Sequence, residues 1–216
     1  MTSRSDPVSA GLADDESDAE VIARSRREPE WFAVLFRRHV QAITRYVARR
    51  LGPDAADDVV AEVFLAAFRQ RDRYQPAGPD ARSWLFGIAT NLIGQHRRAE
   101  VRQYRAFART GIDMVAEPFT DRIDEQVSAG AAGRRLAAGL AGLPAPYRDV
   151  LLLVAWGDLS YEETAQALGV PVGTVRSRLS RARSRLSRAL GGADPSALDE
   201  PSPHNPAPGQ PTGERP

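Results

Sequence analysis

Between Pro171 and Leu190 the chain carries six arginines and no acid, while Val172, Val175, Leu179, Ala182, Leu186 and Leu190 return every three or four positions. That period is a helix with one apolar seam and cannot be laid on a strand, whose faces alternate every second residue. Gly169-Val170-Pro171 stands immediately before it, and Ser160 with Glu163 forms a capping-box pattern that opens a shorter helix upstream. A short capped helix, a tight turn and a long basic helix make a helix-turn-helix. The segment must therefore pack its seam on other helices and turn its arginines outward.

The same period runs through the rest of the chain. Ser17 and Glu20 form a second capping box, and Pro29 suits a first helical position. Phe32, Leu35, Phe36, Val40, Ile43, Val47 and Leu51 then recur at helical spacing until Gly52-Pro53 interrupts them. A helix restarting at Asp54 would bury Val59, Val60, Val63, Phe64, Ala67 and Phe68. After the Pro- and Gly-containing loop Gln75 to Ala81, Ser83 is expected to cap a helix with Trp84, Leu85, Ile88, Leu92 and Ile93 inward. Periodicity lapses near Thr110 to Glu125 and resumes at about 126–141, then Pro144 to Trp156. No stretch reads as a strand. The fold class expected is all-α: two small helical domains, 17–109 and 131–190, joined by a flexible linker at 110–130. The acidic segment 1–16 and the tail 191–216, with its seven prolines, are expected to be disordered.

Composition narrows the function. Among 216 residues there is no Cys, which removes disulfides, thiolate catalysis and the common zinc sites, and fits a cytoplasmic setting. No apolar run approaches the roughly 20 residues of a spanning helix, so no membrane insertion is expected. His39, His96 and His204 read as isolated, and no catalytic triad, metal cluster or phosphate loop is apparent. No enzyme activity and no cofactor are expected. Net charge is only +1, yet it is segregated: Asp54 to Glu62 holds four acids and no arginine, in contrast to the terminal helix. Such separation suggests separate surfaces for separate partners.

In a helix-turn-helix the start of the second helix enters the major groove, where Arg bonds guanine bidentately and Ser or Thr reaches base edges or phosphate. Thr174, Arg176, Ser177 and Arg181 are the candidate readers. Arg178, Arg183, Arg185 and Arg188 suit phosphate contacts, which position without specifying. A solvated basic face is the plain alternative, but it leaves the order of cap, turn and basic helix unexplained. In the first half, Asp54 and Asp57 are accounted for by the helix dipole; Glu62 is less so. Asn91 is a polar residue one turn from apolar Ile88, and His96, Arg97 and Arg98 supply a second basic patch.

DDVVAEVFLAAFR, then SWLFGIATNLIGQHRR, then LPAPYRDVLLLVAWGDLSYEETAQALGVPVGTVRSRLSRARSRL, in this order and spacing, resembles the extracytoplasmic-function group of bacterial RNA polymerase sigma factors. The resemblance covers about 18–109 and 133–190. It implies a region 2 domain at 17–109 that binds core RNA polymerase and the minus-ten element, and a region 4 domain at 131–190 that binds the minus-thirty-five element. By motif match, Asp58, Glu62, Phe64 and Arg69 would bind core polymerase, although Ala61 stands where many members have Gln. Asn91, His96, Arg97 and Arg98 would serve the minus-ten element, where a base of promoter DNA flips into a pocket made by Gln75 to Arg82 and the following helix. Thr174, Arg176, Ser177 and Arg181 would read the minus-thirty-five element. An anti-sigma factor is a further partner the family allows. Two rivals fit less well. A response regulator or repressor would show strand-like apolar runs upstream, and a protein-only adaptor leaves the acid-free basic helix without a purpose.

Overall fold

A computed structural model of the chain describes residues 16–75, 81–110 and 123–192, with backbone alone at 110 and 123–132. Among the described residues there are nine α-helices and no strand, as the all-α reading expects. They are α1 (Asp18–Ser25), α2 (Phe32–Leu51), α3 (Pro53–Gln70), α4 (Arg82–Gln95), α5 (Arg97–Thr110), α6 (Ile123–Gly142), α7 (Ala145–Ala155), α8 (Tyr161–Leu168) and α9 (Val172–Ala189). The segments 1–15 and 193–216, the loop at 76–80 and the stretch 111–122 lie outside the described residues. So do most of the predicted linker and base-pocket loop.

Local chemistry sets most boundaries. Ser17 Oγ accepts the Glu20 amide while Glu20 accepts the Ser17 amide, closing the first capping box. Gly52, at φ 89°, ends α2 in a conformation closed to most side chains, and Pro53 opens α3. Two expectations are corrected. Ser83 does not cap α4: the N-cap is Ala81, without a side-chain cap, and the amide of Ala81 donates to the buried carboxylate of Asp18 at 2.8 Å. His39 is not isolated either. Its Nε2 lies 2.6 Å from Asp18 Oδ2, and Arg38 donates to Oδ1 of the same carboxylate at 2.7 Å.

The first half packs α2 against α3, α4 and α5 around Leu35, Ile43, Val47, Val63, Leu85 and Ile93, all fully buried. In the second half, Val150, Ala165, Val175 and Leu179 form a small core where α7, α8 and α9 meet. The halves do not stand apart. The first core continues through Leu140, Leu143, Leu152, Leu153, Leu159 and Leu186, and α8 lies against α4.

Candidate nucleic-acid and protein interfaces

The helix-turn-helix is built as its residues dictate. Ser160 Oγ accepts the Glu163 amide at 3.1 Å, and Glu163 Oε2 accepts the Ser160 amide at 2.7 Å. Gly169 ends α8 in the left-handed region at φ 62°, and the Val170 amide reaches back to the Ala165 carbonyl at 3.0 Å. Pro171 then caps α9, its carbonyl accepting the Thr174 amide at 2.8 Å. Removing the Ser160 hydroxyl (Ser160→Ala) leaves an orphan helix donor. It is expected to cost about 1 kcal/mol and to lower the thermal midpoint by about 2–4 °C, read by circular dichroism.

With Val175, Leu179, Ala182 and Leu186 buried, α9 can present only its opposite face. Arg176, Ser177 and Arg181 are exposed, and Thr174 is half-buried beside them. Thr174, Ser177 and Arg181 follow each other at helical spacing on one strip, with Arg176 on the next. The Ser177 hydroxyl donates to the Thr174 carbonyl at 3.1 Å, so its lone pairs still face outward as acceptors. Among the arginines assigned to phosphate, Arg185 lies over the Tyr147 ring at 5.3 Å and Arg188 donates to the Ser184 carbonyl.

In the first half, α4 and α5 break at His96, whose amide closes on the Ile93 carbonyl and whose carbonyl accepts the Ala99 and Glu100 amides. His96 is half-buried at this corner, while Asn91, Arg97 and Arg98 are exposed. Cations in a first helical turn oppose the helix dipole. Arg97 and Arg98 therefore do nothing for α5 itself, and together with its free amides they form an anion-attracting corner.

On α3, Asp58, Glu62 and Arg69 are exposed and share one strip, with Leu65 between Glu62 and Arg69. Leu65 is 47% exposed and Phe36 is 42% exposed. Phe64 is only 5% exposed and meets the Phe36 ring edge-on at 4.8 Å. Phe64 thus supports this surface from beneath, and Phe36 and Leu65 are its apolar contacts. Neither was expected from the sequence, although the helical strip through Asp58 and Glu62 passes over Leu65.

Reading the sequence also missed the charges buried where the halves meet: Arg50, Glu100 and Arg148. Arg50 falls on the apolar strip of Ile43 and Val47, the one signal that could have revealed it. Among the described residues no group of His, Asp and Glu could hold a metal ion, and no helix is long and apolar enough to cross a membrane.

Residues 35–103 match the family described as Sigma-70 region 2, and residues 133–186 match Sigma-70, region 4. The chain is 37% identical over 153 residues to RNA polymerase sigma factor HrpL of Pseudomonas syringae pv. syringae, covering 70% of this chain and 82% of that protein. It is 35% identical over 137 residues to ECF RNA polymerase sigma factor EcfG of Rhodopseudomonas palustris, covering 63% and 72%. The chain belongs to the extracytoplasmic-function group of sigma factors. The fold agrees: sigma factor RpoE of Bartonella quintana, solved in complex with the anti-sigma factor NepR, superposes with a TM-score of 0.50 at 25% identity. That match covers 74% of this sigma factor and 96% of that chain.

Proposed function

We propose that this sigma factor binds core RNA polymerase through α3 and directs it to promoters by two DNA-reading surfaces, one on each half. The observation that carries the proposal is the outward face of α9. Arg176, Ser177 and Arg181 are exposed at the start of a helix whose opposite face is fixed in a core and whose entry is set by a capped turn. That is the arrangement needed to place guanidinium forks against guanine edges in a major groove. In this reading α9 takes the minus-thirty-five element. Asn91, His96, Arg97 and Arg98 take the minus-ten element, where melting is helped by extruding a base, at a cost of a few kcal/mol. Asp58, Glu62 and Arg69 ring the exposed Phe36 and Leu65 as the polymerase contact, with Phe64 holding Phe36 in place. The domain division at 17–109 and 131–190 follows the same assignment. The polymerase supplies the chemistry, and this chain supplies recognition, in the cytoplasm. An anti-sigma factor is proposed as a further partner, by analogy with the RpoE complex.

Run-off transcription with purified core polymerase tests the reading: discrete transcripts should appear only when the protein is added. Arg176→Ala and Arg181→Ala should each lose about 1–3 kcal/mol of discrimination between promoter and random DNA while leaving polymerase affinity intact. Asp58→Arg should do the reverse. If all three changes weaken the same step, the division of surfaces is wrong.

A further inference from the structure

The surface on which the two halves meet carries charges that an ordinary helical interface would not bury. Arg50, on α2, is 1% exposed; its Nε donates to Glu100 Oε1 and another guanidinium nitrogen to Asp149 Oδ1, both at 2.6 Å. Glu100, on α5, is 2% exposed and gives its other oxygen to Arg148 of α7 at 2.9 Å. Arg148, 1% exposed, also donates to the Leu140 and Leu143 carbonyls at 3.0 Å. The chain of charges thus crosses twice from the first half to the second.

It is not fully satisfied. The Tyr104 hydroxyl and Arg148 Nε are buried beside it with no partner among the described residues. Burial raises the Tyr104 pKa, so that hydroxyl stays a protonated donor lacking an acceptor. A buried ionic network attracts strongly only when every member is paired; otherwise desolvation offsets much of the gain, and rehydration on opening recovers it. The rest of the contact is close-fitting. A Cβ at Gly87 of α4 would lie 2.5 Å from the Ala167 carbonyl of α8, and Arg82 donates to the Gly157 carbonyl at 2.6 Å.

We infer that this contact is a latch, by which α7 and α8 hold the chain closed against α2, α4 and α5 until polymerase or DNA separates the halves. The inference rests on the promoter reading above. Neighbouring packed helices lie about 8–10 Å apart, so with α9 on α8 and α8 on α4 the two reading surfaces are within roughly 20–30 Å. Elements near positions ten and thirty-five are separated by about 25 base pairs, or about 80 Å at ~3.4 Å per base pair. The closed chain cannot reach both. Its apparent affinity is reduced by the fraction of molecules that are open.

Gly87→Ala is the direct test. It wedges the contact by its Cβ while favouring helix α4, so the first half keeps its fold. Asp149→Ala, which removes the most exposed arm of the network, is the second variant. Small-angle scattering of the full chain should show a larger radius of gyration for both. Titration with core polymerase should show tighter binding, by about fivefold or more. A wild-type chain already as extended as the variants, or variants that expand without binding polymerase more tightly, would overturn the latch. Run-off transcription separates the two readings. Wild-type initiation with no gain in affinity for either variant removes the latch and leaves promoter recognition standing; no initiation by any of the three removes promoter recognition and the latch with it.

Discussion

Glu100→Gln is expected to destabilise the folded chain by about 3–5 kcal/mol, the range found when a buried ion pair loses one partner. The substitution keeps the shape of the side chain and removes its charge. Arg50 and Arg148, each 1% exposed, then share a site without the carboxylate that both bond. Asp149 still reaches Arg50, but nothing comparable remains for Arg148 beyond the Leu140 and Leu143 carbonyls. Urea unfolding followed by circular dichroism measures the effect as a fall in midpoint. Adding Arg148→Met should recover part of the loss, since an apolar side chain of similar length removes one uncompensated charge. Recovery stays incomplete because those two carbonyls lose their donor. A loss under about 1 kcal/mol for the single variant would mean that water reaches the network, and the account of the closed contact would fail with it.

The second large effect lies at Asp18 and is visible in pH. Burial by itself would raise the pKa of this carboxylate. Hydrogen bonds from His39, the Ala81 amide and Arg38, with the charge of His39, outweigh it and bring the pKa from 3.8 to about 2. The folded value lies below the unfolded one, so the ionised form stabilises the fold. That contribution is complete above the unfolded pKa and is lost as pH falls toward 2. Its size is about 2–3 kcal/mol. Asp18→Asn should therefore be less stable than the parent by about that much at pH 6, with the gap closing by pH 2–3. Urea midpoints at the two pH values decide it; a gap that does not change with pH would show that shape, not charge, holds α1 to α2 and Ala81.

These two sites mark the limit of what one sequence can convey. The helices were legible because their signals are local: apolar residues at three-and-four spacing, and caps at Ser17 with Glu20 and at Ser160 with Glu163. Gly52-Pro53 and Gly169 to Pro171 marked the breaks in the same way. The exposed readers on α9 were legible for the same reason, since fixing one face of a helix fixes the other. The Ser83 expectation failed because the group that fastens the start of α4 is Asp18, 63 residues away. His39 looked isolated because its partner lies on another helix. Phe64 looked like a contact residue because it neighbours the acidic strip; its burial depends on Phe36, on a separate helix. The docking of α8 on α4 depends on the fit of Gly87 to Ala167, which no spacing announces.

The charged seam also bears on how the chain is made. Helices α1 to α5, through Thr110, leave the ribosome before α7 exists to cover them. Domains fold as they emerge, and exposed apolar surface on a half-made protein invites aggregation. Here the patch awaiting α7 is centred on Arg50 and Glu100, an ion pair that water can solvate. The nascent first half can therefore wait for its second half with a hydrated face, and the charges that make the finished contact separable keep the unfinished one from sticking to its neighbours.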